Sequence, residues 1–185
     1  VAAYGVMMYV SMIFSAAFIG YSIGTAPIIG YHDGAQNHRE LQGLLRKSLI
    51  LIGIFGVSMV LAAELLAYPL AWLFVGYDEA LMSLTAYGFR IFSLSFVFMG
   101  YAIFGSGFFT ALNDGVTSAL ISFLRTMVFQ VAAVTLLPLV LGIDGIWFSI
   151  VIAEMMTMAL SAPFLGLKRK KYHYWGRMGK AVVLT

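Results

Sequence analysis

The chain has 185 residues, of which 62% are apolar or aromatic and only 10% are charged, with a net charge of +3. Soluble domains carry about 25% charged residues, so this chain has too few polar side chains to cover a water-exposed surface. The same composition excludes intrinsic disorder. The absence of cysteine excludes disulfides, thiolate metal sites and a cysteine nucleophile. A polytopic helical membrane protein is the class that remains.

Five long apolar stretches follow one another along the chain, separated by short polar or glycine-containing turns. A helix needs about 20 mostly apolar residues to cross a bilayer, and in lipid a helix satisfies its own backbone groups. The sequence therefore predicts an all-α transmembrane bundle over residues 1–167, followed by a basic tail, 168–185. The predicted spans are residues 1–31, 44–76, 80–112, 115–141 and 145–167.

Lysine and arginine lie on one side of this predicted bundle. Nine of the eleven fall in the loop between the first two spans or in the tail, so the positive-inside rule places both in the cytoplasm. Five spans then put Val1 outside. Because residues 1–20 have neither an initiator Met nor the basic start of a signal peptide, we expect at least one further helix upstream. The predicted location is the inner or plasma membrane, crossed several times.

Several segments resemble one transporter family. Residues 24–35 read Gly-Thr-Ala-Pro-Ile-Ile-Gly-Tyr-His-Asp-Gly-Ala, which is similar to the signature closing the eighth helix of multidrug and toxic compound extrusion (MATE) transporters. Residues 106–115 resemble the end of that family's tenth helix. Residues 122–126, 137–138 and 142–147 resemble parts of its eleventh and twelfth helices, and Glu154 fits the twelfth. The matching segments occur in the family's order over nearly the whole chain.

The resemblance implies a twelve-helix antiporter, not an enzyme, with two six-helix lobes that export amphipathic or cationic compounds in exchange for sodium or protons. This chain corresponds to a partial carboxyl-terminal lobe, helices eight to twelve. Some members carry an acidic cation ligand midway along the tenth helix, but residues 96–104 contain no carboxylate. We therefore expect no cofactor, and a coupling sodium ion or proton bound in the missing amino-terminal lobe.

The expected partners are that missing lobe, membrane lipids and small amphipathic or cationic substrates. The basic run at residues 168–171, beside three aromatic residues, has the composition of a nucleic-acid patch. Because it follows a span directly, it is more simply explained as a topology anchor on anionic lipid, and no nucleic-acid partner is expected. The three histidines lack metal-ligand spacing, so no metal site is predicted.

Four charges interrupt the predicted spans and are the candidates for function. At about 1.5 Å per residue, Glu64, Arg90 and Glu154 fall at similar depths, which predicts that Arg90 pairs with Glu64 or Glu154. Such a pair is either a structural lock between helices or a proton- or substrate-linked carboxylate whose pKa the arginine sets. Arg125 is predicted nearer the cytoplasm, contacting lipid phosphate, snorkelling or packing helices rather than touching substrate.

Two further groups of residues are candidates for the transport path. Pro27, with Gly24 and Gly30, is either a hinge or a static kink. Tyr101 and Gln130 are candidates for the cavity lining, together with Phe104, Phe108 and Met127, because aromatic and flexible side chains suit a promiscuous site.

Two other functions remain open at this point. A lipid-linked oligosaccharide flippase of the same superfamily would have Arg90 and Arg125 facing a larger, more cationic cavity. A non-transport membrane scaffold subunit would have every intramembrane charge paired and no groove facing the missing lobe.

Overall fold

The computed structural model describes residues 2–174, and within them the chain is helical with no strand. Seven α-helices and one π-helical segment follow in order along the chain. They are α1 (Ala2–Gly34), α2 (His38–Val75), α3 (Glu79–Ser93), α4 (Ser95–Ala111), α5 (Gly115–Phe123), the π segment (Leu124–Gln130), α6 (Val131–Leu141) and α7 (Ile143–Tyr172). The predicted all-α fold is confirmed.

The loop predicted between the first two spans is much shorter than expected, because only residues 35–37 lie outside helices. Asn37 caps α2, and its side-chain oxygen accepts a hydrogen bond from the Glu40 backbone N–H at 3.3 Å. Asparagine favours this position because its side chain satisfies an N–H that the first helical turn leaves free. The basic residues Arg39, Arg46 and Lys47 consequently belong to the start of α2.

One stripe of α2 faces the rest of the protein. Its buried residues recur every three or four positions from Leu41 to Val75, which is the period of one helix face. The remaining surface is also apolar and includes the exposed Leu61, Leu65 and Leu73. A helix that is apolar on its outward face belongs in lipid. In length and composition, four helices of the described residues suit a membrane span, or five if the bent pair α3–α4 is one.

The third predicted span is broken, since α3 and α4 meet at Leu94 with a bend of 42°. The Ser93 hydroxyl donates to the carbonyl of Arg90 at 2.7 Å. Serine hydroxyls that bond back to the preceding turn bend helices. The span predicted over 80–112 therefore consists of two helices joined by a bend, which lies between Ser93 and Ser95.

The fourth predicted span, 115–141, is also irregular, because the π segment separates α5 from α6. π-Helical turns inside α-helices are rare and are frequently found at functional sites. The following helix, α7, continues to Tyr172, so the first five residues of the predicted tail are helical. Residues 175–185 of that tail lie outside the described residues.

The core is built around α4, which packs against α1, α2, α5 and α7. Its phenylalanines Phe96, Phe104, Phe108 and Phe109 are fully buried. Gly100 permits close approach of these helices, because a Cβ there would lie 2.6 Å from the Phe18 ring. The bundle therefore holds an aromatic core within a lipid-facing apolar shell.

Candidate functional site

The most buried charged contact joins the π segment to α7. The Arg125 Nε lies 3.0 Å from each carboxylate oxygen of Glu154, and its Nη2 lies 2.6 Å from Oε1. Only 7% of the Glu154 side chain and 25% of the Arg125 side chain are exposed. Two guanidinium nitrogens on one carboxylate give both strength and a fixed orientation. Together these contacts make the Arg125–Glu154 pair a strong candidate for a functional element.

This pairing corrects the predicted depths. Counting residues placed Glu154 with Glu64 and Arg90, and Arg125 in a separate layer nearer the cytoplasm. The number of residues from the helix end gives the depth of the backbone only. The guanidinium group of an arginine can lie several ångströms away along the helix. Of the roles predicted for Arg125, helix packing is the one that matches its contact with Glu154.

A second, looser pair joins α2 to α3. The Arg90 Nε lies 3.7 Å from Glu64 Oε2, and the two side chains are 60% and 37% exposed. The Ser93 hydroxyl donates to Glu64 Oε1 at 3.0 Å, next to the bend between α3 and α4. The prediction that Arg90 pairs with Glu64 or Glu154 is confirmed for Glu64. All four intramembrane charges are thus paired within residues 2–174.

A third charged cluster lies outside the spans, in the turn between α4 and α5. Asp114 caps α5 through the backbone N–H of Thr117 and also accepts from Lys168 Nζ at 3.0 Å and the Tyr172 hydroxyl at 3.1 Å. Burial alone would raise the pKa of Asp114, but these hydrogen bonds outweigh it and lower the pKa to about 2. The cluster ties the α4–α5 turn to the end of α7.

This cluster was not predicted, because a lysine directly after a membrane span is ordinarily assigned to a lipid-facing tail. Lys168 and Tyr172 are four residues apart, which places them on the same helix face. Tyr174 then packs edge-to-face on Phe108, and its hydroxyl donates to the Leu165 carbonyl at 3.0 Å. The start of the predicted tail is accordingly folded against the bundle.

A groove lies between α2, α4 and α7, with a volume of about 560 Å³. Leu49 contributes from α2, Tyr101 and Gly105 from α4, and a run of residues between Met158 and Arg169 from α7. Its volume falls within the range of about 300–1,000 Å³ that small-molecule sites occupy. Tyr101 therefore lines a cavity, as its residue type suggested.

The other predicted lining residues lie elsewhere. Phe104 and Phe108 are buried in the core, so they line no open cavity, which contradicts the prediction. Gln130 is half-buried at the end of the π segment, five residues after Arg125, and Met127 on the same segment is exposed. The structure therefore groups Gln130 with the Arg125 segment rather than with Tyr101.

The hinge candidates lie on a continuous helix, since α1 runs without interruption through Pro27. A Cβ on Gly30 would lie 3.3 Å from the Ala111 carbonyl, so Gly30 permits a tight contact with α4. Gly24 faces open space. Inside the predicted spans, the described residues have irregular helical backbone at Leu94 and in the π segment, where no hinge was predicted. Within these residues no three His, Cys, Asp or Glu side chains form a metal-ligand group.

Comparisons with known proteins place this geometry in context. The MatE family model matches residues 1–136, nearly three quarters of the chain. A solved structure described as the outward-facing conformation of a multidrug resistance MATE family transporter of the MOP superfamily is similar to this fold, with a TM-score of 0.85 and 19% identity. The similarity covers 94% of this chain and 39% of that one, so this chain spans about two fifths of its length. No functionally curated protein matches the sequence.

Proposed function

The chain belongs to the MatE family of membrane transporters, and from that premise we propose that it forms the carboxyl-terminal lobe of a secondary active multidrug antiporter. The observation that carries the proposal is the fold similarity over 94% of the chain to two fifths of a MATE transporter. In this proposal the remaining lobe is supplied by the rest of a longer polypeptide. The substrates are amphipathic or cationic compounds, and sodium or proton entry drives their export.

The proposed mechanism assigns a positioning role to the Arg125–Glu154 pair. Alternating access in two-lobe transporters is largely a rigid-body movement of one lobe against the other around a site at the membrane midplane. A lobe that moves as a unit needs fixed contacts between its helices. The π segment lacks the regular hydrogen bonding of an α-helix. The two-point contact of Arg125 with Glu154 therefore holds this segment in place against α7.

A flippase of the same superfamily is less well supported. A flippase was expected to have Arg90 and Arg125 facing the cavity, whereas both arginines are engaged by carboxylates, Glu64 and Glu154. The scaffold hypothesis is favoured by the pairing of these charges. The transporter family to which the chain belongs favours transport over it.

The test is ion-gradient-driven transport in proteoliposomes that contain the complete transporter, which carries this chain as one lobe. An imposed sodium or proton gradient is expected to drive ethidium, an amphipathic cation, against its own gradient. The Glu154→Gln variant is expected to lower the rate, and Lys170→Gln, a charge change on the same helix, is the matched control. Gradient-independent or absent ethidium movement by the wild type would contradict the proposal.

A further inference from the structure

The groove between α2, α4 and α7 has a feature that drug transport does not require, which is a strongly one-sided distribution of charge. Its floor is formed by small residues where α4 meets α7. A Cβ on Gly105 would lie 3.3 Å from the Ser161 Cβ, so the backbones are close and leave room above them. Leu49, Met158 and Leu165 form apolar walls. Such a lining suits a hydrocarbon chain.

The length of the groove matches one leaflet of a bilayer. Its α7 lining extends from Met158 to Arg169, which are eleven residue steps apart, or about 16 Å along the helix. Half of a hydrocarbon core of about 30 Å is about 15 Å. The groove therefore reaches from the membrane surface near the basic end of α7 to about the bilayer midplane.

The charge of the groove lies at its surface end. Arg169 lines it there, and no acidic side chain of residues 2–174 pairs with this arginine. Arg46 lies three residues before Leu49 on α2 and is exposed, so it occupies the same helix face one turn closer to that surface. Lys168, by contrast, is engaged by Asp114. Basic pockets between membrane helices on the cytoplasmic side bind anionic headgroups.

We propose that this groove binds one acyl chain of an anionic phospholipid, with the headgroup phosphate held by Arg169 and Arg46. The lipid comes from the leaflet at the basic ends of the helices, which the positive-inside rule identifies as the cytoplasmic one. The occupant is a phospholipid rather than a second protein chain because an apolar slot of one-leaflet length ends in arginine. The inference does not depend on transport, since lipid binding is measured without a gradient.

The experiment uses the complete transporter in nanodiscs of phosphatidylcholine alone or mixed with phosphatidylglycerol. A photoactivatable group in the acyl chain of each lipid, in separate samples, labels the residues that it contacts, and peptide mass spectrometry locates the label. We expect phosphatidylglycerol to label the segment between Met158 and Gly166 more strongly than phosphatidylcholine does. Arg169→Gln is expected to lower that preference about fivefold, as one basic residue near a membrane surface contributes.

Two further variants make the result specific. Lys170→Gln removes a neighbouring charge that does not line the groove and should retain the preference. Ala162→Phe fills the groove from an exposed position, so it should abolish acyl labelling while the thermal unfolding temperature remains near that of the wild type. Equal labelling by both lipids, an Arg169→Gln variant with unchanged preference, or a groove that cross-links to another protein segment instead of lipid would overturn the proposal.

Discussion

Arg125 and Glu154 form a two-point ion pair across the bundle, with Arg125 Nη2 2.6 Å from Glu154 Oε1. The pair connects the irregular π segment to α7, which is a single α-helix from Ile143 to Tyr172. A charge at the centre of a membrane helix costs about 2.5–3.5 kcal/mol on insertion scales. Each member of the pair therefore lowers the cost of placing the other charge in the membrane. The contact also fixes the position of the segment that carries Gln130.

Removing one member of this pair is expected to cost more than removing both. Arg125→Leu or Glu154→Leu leaves a lone buried charge, which typically destabilises by about 3–5 kcal/mol. The double variant removes both charges and should recover most of that loss. The free energy of unfolding in detergent micelles measures the coupling between the two positions.

The Glu64–Arg90 pair is the control for that cycle, because it is longer and more exposed. Its substitutions to Leu should show a smaller coupling. Additive effects of Arg125→Leu and Glu154→Leu would mean that the two side chains do not act as a pair.

Asp114 is expected to make stability depend on acid pH. Its folded-state pKa of about 2 lies below the ordinary value of 3.8, so its contribution is fully present above 3.8 and is lost as the pH falls toward about 2. Asp114→Asn retains an acceptor for the α5 cap but loses the charge that holds Lys168. At neutral pH the variant should lose about 1 kcal/mol, because Lys168 is 32% exposed and solvent screens its attraction to the buried carboxylate.

Unfolding temperatures of the wild type and Asp114→Asn, measured from neutral pH down through this window, test the assignment. The difference between the two proteins should shrink as the pH falls below 3.8. A constant difference across the window would show that the carboxylate charge makes no contribution.

Gly142 joins α6 to α7 with a backbone conformation that other residues adopt only under strain, φ +60° and ψ −134°. Gly142→Ala should destabilise the protein by about 1–3 kcal/mol. Gly20→Ala is the matched control, because Gly20 lies within α1 and an added Cβ there meets no atom within 4 Å. Thermal unfolding of the two variants should separate them clearly, and equal unfolding temperatures would contradict the role assigned to Gly142.

The helical content and the approximate spans were predictable because apolar stretches of that length have few alternatives in lipid. The bend between α3 and α4 and the π segment were not predictable in this way. The bend at Leu94 coincides with a hydrogen bond from the Ser93 hydroxyl to the Arg90 carbonyl, but Ser58 makes a similar bond within the uninterrupted α2, so a serine does not by itself predict a bend. The π segment has no comparable composition signal, because it replaces one hydrogen-bond register with another.

The site was predictable in its residue types but not in all of its partners. Glu64 and Arg90 lie at similar depths on neighbouring helices, so counting residues predicted Glu64 as one of two possible partners of Arg90, and the structure identifies Glu64. Arg125 and Glu154 required the side-chain reach and the packing of α7 against the π segment. The close contacts of α1 with α4 at Gly30 and Gly100 likewise depend on how the two helices pack, which the sequence alone does not give.

The central claim is that the chain crosses the membrane with its basic helix ends on the cytoplasmic side, and single-cysteine labelling tests it most directly. These 185 residues contain no cysteine, so an introduced thiol is unique among them, and the protein without an introduced cysteine gives the background labelling. With a membrane-impermeant maleimide on intact cells, Tyr77→Cys and Asp144→Cys should react from outside. Ala35→Cys and Gly115→Cys should react only after the membrane is opened. Labelling of Ala35→Cys from outside, or of all four positions from one side, would contradict the claim.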